Sequence, residues 1–217
     1  MMFANRNQAA DRLAVALDAY KGRNPLVLAI PRGAVPMGQR LARALEGELD
    51  VVLVRKLRAP FNPEFALGSI DESGWSYIAD YAESAGGTPT YLAQEKQAQL
   101  DTIRKRRAQY TPLRPPIDPA GRIVIVVDDG LATGATMISA LHALRAKRPA
   151  KLICAVPVAP ADTLEKIRAY ADEVVCLDTP MFFQAVGQFY ADFPQVDDAE
   201  VIDILRQAGR GRESGAR

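Results

Sequence analysis

Short apolar runs alternate along the chain with segments whose apolar residues recur every three or four positions. The apolar runs are rich in β-branched residues and predict buried strands at 25–30, 49–54, 122–127, 151–158 and 173–177. The periodic segments predict amphipathic helices at 5–20, 34–46, 134–147 and 160–171. Continuous apolar strands that alternate with such helices are typical of a parallel sheet covered on both faces, so the pattern predicts an α/β fold.

Residues 57–121 interrupt this alternation. Within them the sequence predicts a hairpin over 68–80 that turns at Glu72–Gly74, a long polar helix over 91–110 and a proline-rich linker over 111–121. We therefore expect one domain over residues 1–207, with an insertion at about 57–121. The last residues, 208–217, show no periodicity and are expected to form a disordered tail.

The composition is that of an ordinary globular protein, with 48% hydrophobic and 24% charged residues. Because 27 basic and 26 acidic side chains nearly cancel, we expect no nucleic-acid partner. No stretch has the apolar length of a signal peptide or a spanning helix, so we expect a cytoplasmic protein with no membrane partner. Cys154 and Cys176 lie in strand-like runs and are expected to be reduced and buried, while the lone His142 is expected to be structural.

The segment IVIVVDDGLATGAT, residues 123–136, carries the clearest chemistry. An apolar strand runs directly into Asp128 and Asp129, and a loop with two glycines and two threonines leads into a helix. Glycine permits close backbone approach, and the helix start presents unpaired N–H groups, so the loop suits a phosphate monoester. The adjacent carboxylates would accept hydrogen bonds from sugar hydroxyls or hold a hydrated Mg²⁺. An Asp-rich helix cap is the simpler alternative, and the complete string favours a phosphosugar site.

Two further strand ends are basic. Arg32 and Gly33 lie between a strand and a helix start, where amides and a guanidinium suit a second anion, although a plain turn would explain them equally well. Arg55 and Lys56 directly follow the strand at 49–54, a place where basic residues are usually solvated. Because ligands bind outside the carboxyl ends of parallel strands, the three ends together describe a ligand with phosphate, diol and pyrophosphate groups. Ala135 stands where a Walker motif would need lysine, so this is not a P-loop.

That ligand is 5-phosphoribosyl 1-diphosphate, and the sequence resembles the type I phosphoribosyltransferases. The family signature of hydrophobic residues, two acidic residues and a Thr-Gly loop is matched by Val124–Thr136. Its pyrophosphate loop resembles Pro31–Ala34, and its basic contact after the second core strand resembles Arg55–Lys56. More closely, IPRGAVPMG, LDVVLVRKLRAPFNPEFALGSIDESG and FFQAVGQFYADFPQVDD resemble a bacterial subgroup of predicted phosphoribosyltransferases. The resemblance covers about residues 25–60 and 120–178.

The resemblance implies a Rossmann-like sheet and a Mg²⁺-dependent transfer of phosphoribose to a nitrogenous acceptor, with release of pyrophosphate. It implies that Asp128, Asp129, Arg32 and Lys56 act in catalysis, and that the two aspartates hold Mg²⁺ directly or through water. It also implies a cis peptide bond between Pro31 and Arg32, and it leaves a homodimer open. The implied substrate-binding residues are Pro31, Arg32, Gly33, Ala34, Arg55, Lys56, Asp128, Asp129, Gly130, Ala132, Thr133, Gly134, Ala135 and Thr136.

The acceptor is less well specified. Relatives that use 6-oxopurines carry a third carboxylate three residues beyond the acidic pair, where this chain has Ala132. Orotate-like, other heterocyclic and amine acceptors therefore remain open. Four aromatic residues would form either an acceptor wall or, as we favour, part of the core; these are Phe182, Phe183, Phe189 and Tyr190.

Two further alternatives remain. The basic run at 104–107 would either contact pyrophosphate or form a solvated helix face, and we favour the solvated face. The rival to an enzyme is a non-catalytic protein that senses 5-phosphoribosyl 1-diphosphate and regulates transcription or binds RNA. The near-neutral charge argues against this rival, because such partners favour a basic surface.

Overall fold

The computed structural model describes residues 2–63, 65–110 and 116–213. Within them the chain forms eight strands and six α-helices. The strands are β1 (Leu26–Ala29), β2 (Glu48–Val51), β3 (Val54–Arg58), β4 (Ala66–Asp71), β5 (Ser76–Ile78), β6 (Ile123–Val127), β7 (Lys151–Val158) and β8 (Glu173–Asp178). The helices are α1 (Arg6–Ala16), α2 (Ala34–Ala44), α3 (Pro89–Tyr110), α4 (Ala135–Arg145), α5 (Ala161–Arg168) and α6 (Asp198–Glu213).

Five strands form a parallel sheet in the order β2-β1-β6-β7-β8, which confirms the predicted α/β fold. Side chains alternate between its two faces along each strand. In β6, Ile125 and Val127 join the core cluster that contains residues of α1, α2 and α6. Val124 and Val126 join the opposite cluster, which contains residues of α4 and α5. Burial on both faces explains why these strands read as continuous apolar runs.

The second sheet is antiparallel, in the order β3-β4-β5, and lies in the insertion. The predicted hairpin is confirmed, because β4 and β5 pair across a turn that follows Asp71. The predicted polar helix is α3, which packs on β3. Residues 116–121 of the predicted linker form neither helix nor strand, and residues 111–115 lie outside the described part of the chain.

One strand boundary was predicted wrongly. The apolar run over 49–54 continues through Val54, but the chain leaves the parallel sheet after Val51 and enters the antiparallel sheet at Val54. Val52 and Leu53 stay buried between the two sheets, so hydrophobicity alone does not mark the change. Arg55 and Lys56 therefore lie inside β3, rather than directly at the carboxyl end of a strand of the parallel sheet.

The predicted disordered tail is also corrected in part. Helix α6 continues to Glu213, so residues 208–213 are helical, while residues 214–217 lie outside the described residues. Val201, Leu205 and Ala208 recur at helical spacing and pack against the main core. No helix in the described ranges is long and apolar enough to span a membrane.

Candidate active site

A cavity of about 500 Å³ opens at the carboxyl ends of β1 and β6. The loops that follow these two strands supply most of its lining, as expected for a parallel sheet. The sequence-predicted residues that line it are Pro31, Arg32, Gly33, Lys56, Asp128, Asp129, Gly130, Ala132, Thr133, Gly134 and Thr136. The structure therefore brings the predicted phosphate loop, acidic pair and pyrophosphate loop to one place.

Three predicted residues do not line the cavity. Ala34 and Ala135 are buried at the first positions of α2 and α4. Arg55 neighbours Lys56 in β3 and so points to the other face of that sheet, where its Nε donates to Gln99 Oε1 at 2.9 Å. Burial, followed by repulsion from Arg106, Arg58 and Arg32, lowers the pKa of Arg55.

The loop between β1 and α2 has the cis peptide bond between Pro31 and Arg32 that the resemblance implied. Arg32 lines the cavity, and its guanidinium lies beside α6, with Nη1 3.7 Å from Asp198 Oδ2. Tyr110 at the end of α3 donates a hydrogen bond to Asp198 Oδ1 at 3.3 Å. The insertion and the last helix therefore both reach the edge of this loop.

The loop between β6 and α4 turns through two glycines at positive φ. Gly134 has φ +75°, a conformation that glycine adopts without a Cβ penalty, and it immediately precedes α4. Thr163 in α5 donates from Oγ1 to the Ala132 carbonyl at 2.7 Å, which fixes the loop from the side of α5. The first amides of α4 have no partner within the helix; that of Ala135 donates a long hydrogen bond to Thr133 Oγ1 at 3.5 Å, and a helix start of this kind favours an anion.

The acidic pair lies between these two loops. Asp128 Oδ1 accepts a hydrogen bond from the Asp129 amide at 2.9 Å, and Asp129 Oδ2 accepts one from Arg6 Nε at 2.9 Å. Tyr190 donates from its hydroxyl to the Asp129 carbonyl at 2.6 Å. Burial, followed by repulsion from Asp129, raises the pKa of Asp128 well above its usual range. Burial also raises the pKa of Asp129, and Arg6 opposes this rise.

Comparison with known proteins agrees with this geometry. The family model of the phosphoribosyl transferase domain matches residues 3–194. The chain belongs to this family. The match to the family model includes all eight strands, so it covers both the parallel sheet and the insertion.

Several known proteins are similar to this family member. Two curated relatives from Mycobacterium tuberculosis, strains CDC 1551 and H37Rv, are each named "Putative phosphoribosyl transferase" and are 41% identical over 219 residues. Each match covers 99% of this chain and 49% of the relative, so the chain spans about half the length of the curated relatives it matches. The crystal structure of TT1426 from Thermus thermophilus is 44% identical, with a TM-score of 0.79, and the match covers 95% of this chain and 99% of that one.

Arg6 is a residue of this phosphoribosyl transferase domain that sequence reasoning missed. Its contact with Asp129 joins positions 123 residues apart, and the helical spacing of α1 marks only the buried face of that helix. Tyr190 was considered only as a wall or core residue, and its hydrogen bond to Asp129 was not foreseen. Neither contact leaves a local sequence signal, because each depends on tertiary packing.

The four candidate aromatic residues differ in how far they are buried. Phe189 and Tyr190 are buried in the core, as favoured, and Phe183 packs partly against it. Phe182 is 83% exposed and belongs to neither a wall nor the core. Between these aromatic residues, Gln184 and Val186 line the cavity instead. The insertion contributes Phe65 and Ala66 to the lining.

The basic run at 104–107 is only partly solvated. Arg107 pairs with Glu72 in the hairpin turn, and its side chain is 20% exposed. Arg106 is half-buried, while Arg104 and Lys105 are exposed. The prediction of a solvated face is therefore wrong at Arg107, because the hairpin of the insertion folds back onto α3.

The remaining candidates for chemistry behave as structural residues. His142 stacks on Trp75 with ring centroids 3.6 Å apart. Cys154 and Cys176 are free thiols; Cys154 is buried and Cys176 is half-buried, and burial raises the pKa of both. Among the described residues, no group of three or more His, Cys, Asp or Glu side chains is placed to hold a metal ion. A divalent cation held by the acidic pair would need ligands from a substrate and water as well.

Proposed function

We propose that this chain transfers the phosphoribosyl group of 5-phosphoribosyl 1-diphosphate to a nitrogenous acceptor and releases pyrophosphate. The observation that carries this proposal is one cavity lined by the loop after β1, the loop after β6 and the half-buried acidic pair. A volume of about 500 Å³ lies within the range of small-molecule sites, which runs from roughly 300 to 1,000 Å³.

Each part of the donor has a matching part of the cavity. The 5-phosphate binds the loop of Thr133, Gly134 and Thr136, whose backbone turns into the start of α4. The ribose hydroxyls donate to the acidic pair in the middle of the site. The pyrophosphate binds Arg32 and the amides around Gly33, with Lys56 on the adjacent wall.

The reaction needs charge stabilisation more than a nucleophile from the protein. As the bond between ribose C1 and the pyrophosphate oxygen breaks, its electron pair leaves with pyrophosphate and positive charge builds on the ribose. Arg32 and Lys56 stabilise the departing anion, and the acidic pair stabilises the ribose cation. The acceptor nitrogen then supplies the electron pair of the new bond to C1. Fixing the phosphate in its loop holds C1 in place for this exchange.

A magnesium ion fits this arrangement as a companion of the substrate. Mg²⁺ is usually held by one or two carboxylates together with waters and substrate phosphates, and Asp128 and Asp129 are such a pair. When bound, Mg²⁺ would neutralise charge on the pyrophosphate oxygens. Asp128 is the better ligand of the two, because Asp129 is already paired with Arg6.

The acceptor is not a 6-oxopurine in this proposal. Ala132 supplies no carboxylate, and its carbonyl is already bonded to Thr163. The cavity lining also includes the amide-bearing Gln184 and the apolar Val186 and Phe65. This lining favours a flat heterocycle or an amine that needs one polar contact.

The test is release of pyrophosphate from 5-phosphoribosyl 1-diphosphate and Mg²⁺ with a panel of nitrogen heterocycles and amines. Asp128→Asn is the inactive comparison, and Asp101→Asn, an exposed change on α3, is the matched control. We expect release with at least one acceptor by the wild type and by Asp101→Asn, and none by Asp128→Asn. Binding of the donor without release by any acceptor would overturn the transferase and favour a sensor.

A further inference from the structure

Arg6 makes the most specific contact with the acidic pair that the motifs do not account for. Its Nε and Nη2 atoms each lie 2.9 Å from Asp129 Oδ2. The two side chains are only 11% and 15% exposed. This is a largely desolvated ion pair, so it carries more weight than an ordinary surface pair.

The position of Arg6 is fixed from several directions. Its Nη1 donates to the Pro194 carbonyl at 2.6 Å, and its guanidinium carbon lies 3.7 Å from the centroid of the Phe193 ring. Asn5 caps α1 by accepting from the Gln8 amide, so the helix begins at Arg6 itself. A side chain held by a carboxylate, a carbonyl and a ring has little freedom to turn toward another partner.

Asp129 is in turn held against the loop that is proposed to bind pyrophosphate. A Cβ atom added to Gly33 would lie 2.3 Å from Asp129 Oδ2 and 3.0 Å from Arg6 Nη2. A carboxylate this close to the loop would repel a bound anion unless its charge is compensated. The groups that face it from neighbouring elements are Arg6 from α1, Lys56 from β3 and Asp128 beside it.

The two aspartates are therefore unequal. Asp129 Oδ2 is occupied by two nitrogens of Arg6. Asp128 uses Oδ1 to accept the Asp129 amide, and among the described residues no arginine or lysine forms an ion pair with it. Asp128 is thus the carboxylate whose charge is left unpaired by the described residues, and it is the freer of the two to hold a ligand.

We propose that Arg6 is a positioning residue that neutralises Asp129 beside Gly33, so that the adjacent loop can accept pyrophosphate. This inference rests on the proposed function, because it assumes that the Gly33 loop binds pyrophosphate. Arg6 acts through Asp129 and does not itself line the cavity. Its loss leaves a carboxylate facing the anion, and the effect falls on ligands that carry pyrophosphate.

Arg122 provides a matched control for the loss of a half-buried arginine. It pairs with Glu48, with side chains 19% and 17% exposed, and its Nη2 donates to the Asn24 carbonyl at 2.8 Å. It therefore also joins one carboxylate and one carbonyl. It lies at the amino ends of β2 and β6, on the edge of the sheet opposite the cavity.

The test is calorimetric titration of Arg6→Met, Arg6→Lys, Arg122→Met and the wild type with three ligands: inorganic pyrophosphate, ribose 5-phosphate and the full donor with Mg²⁺. We expect Arg6→Met to weaken pyrophosphate and donor binding about tenfold or more, since hydrogen bonds to charged groups contribute on this scale. Ribose 5-phosphate should bind within about threefold of the wild type, because it carries no pyrophosphate for the uncompensated Asp129 carboxylate to repel. Arg6→Lys should recover most of the pyrophosphate affinity, and Arg122→Met should match the wild type.

Equal weakening of all three ligands by Arg6→Met, or no weakening, overturns the role of Arg6 and leaves the proposed function standing. If Arg6→Met does not fold, Arg6→Gln takes its place, because it keeps a polar side chain without the charge. The same pattern of binding to the three ligands then tests the role of Arg6. Failure of the wild type to bind pyrophosphate or the donor overturns the proposed function, and the role of Arg6 falls with it.

Discussion

Gly33 and Asp129 lie so close that no side chain fits between them: a Cβ atom on Gly33 would be 2.3 Å from Asp129 Oδ2. The contact joins the loop after β1 to the acidic pair after β6, two neighbouring strands of the parallel sheet. It brings a candidate pyrophosphate loop within contact distance of a candidate ribose-binding carboxylate. A substitution at Gly33 should therefore also affect Asp129, and a substitution at Asp129 should affect the loop of Gly33.

The first prediction concerns Gly33→Ala. Because the added methyl group must displace the Asp129 carboxylate or the loop, we expect donor affinity to fall at least tenfold, equal to about 1.4 kcal/mol. Calorimetric titration with the donor and Mg²⁺ measures this. Gly209→Ala is the control, since nothing lies within 4 Å of its added Cβ, and it should bind like the wild type. Donor binding unchanged in Gly33→Ala would show that the loop does not contact the ligand.

The second prediction separates function from stability at Asp128. Asn keeps an oxygen for the Asp129 amide but removes a half-buried charge that repels its neighbour. We therefore expect Asp128→Asn to melt at or above the wild-type temperature at pH 7, and yet to lose donor affinity at least tenfold. Thermal melts and titration report the two effects, with Asp101→Asn as the control. A variant that binds the donor normally would remove Asp128 from the site.

The third prediction concerns the phosphate loop. Gly134 has φ +75°, and an added Cβ would lie 2.9 Å from Thr163 Cγ2, the side chain that fixes the Ala132 carbonyl. We expect Gly134→Ala to weaken ribose 5-phosphate and the donor alike, while inorganic pyrophosphate binds as before. Gly121→Ala carries a similar backbone penalty at φ +67° with nothing within 4 Å, so it isolates the strain from the site. Loss of pyrophosphate binding as well would contradict the assignment of separate loops.

The fourth prediction concerns the docking of α3 onto β3. Glu95 Oε1 accepts hydrogen bonds from the Arg58 amide, Arg58 Nε and Gln99 Nε2 at 2.9–3.1 Å. Because Glu95→Ala leaves these donors without their acceptor, we expect it to lower the free energy of unfolding by about 1–3 kcal/mol. Urea denaturation measures the change. Glu165→Ala, at a 75% exposed side chain, should change it by less than about 0.5 kcal/mol. Equal effects would mean that Glu95 does not hold the helix.

Much of the fold follows from local pattern. The β-branched runs that became β6 and β7 are buried on both faces, and this double burial removes polar residues from them. The same rule fails at Val52 and Leu53, which stay apolar because they pass between two sheets. Burial alone does not record which sheet a residue joins. Helix α6 was not predicted at all, although Val201, Leu205 and Ala208 recur at helical spacing within it.

The candidate site was predictable where a single sequence segment contains both the end of a strand and the polar residues that line the cavity. The segment from Val124 to Thr136 contains a strand, an acidic pair and a loop in one stretch, and the pair and the loop line the cavity at the end of that strand. Arg55 and Lys56 are neighbours in sequence, and only the alternation of β3 decides that Lys56 faces the site. Arg6 depends on how α1 packs across the acidic pair, and no spacing in the sequence records this.

The central claim is that one cavity binds both ends of 5-phosphoribosyl 1-diphosphate. Calorimetric titration of the wild type with this donor and Mg²⁺ tests the claim, first alone and then with saturating ribose 5-phosphate or saturating pyrophosphate. We predict binding of one donor per chain, weakened competitively by each of the two fragments. Donor binding that either fragment leaves unchanged, or no donor binding, would contradict the account.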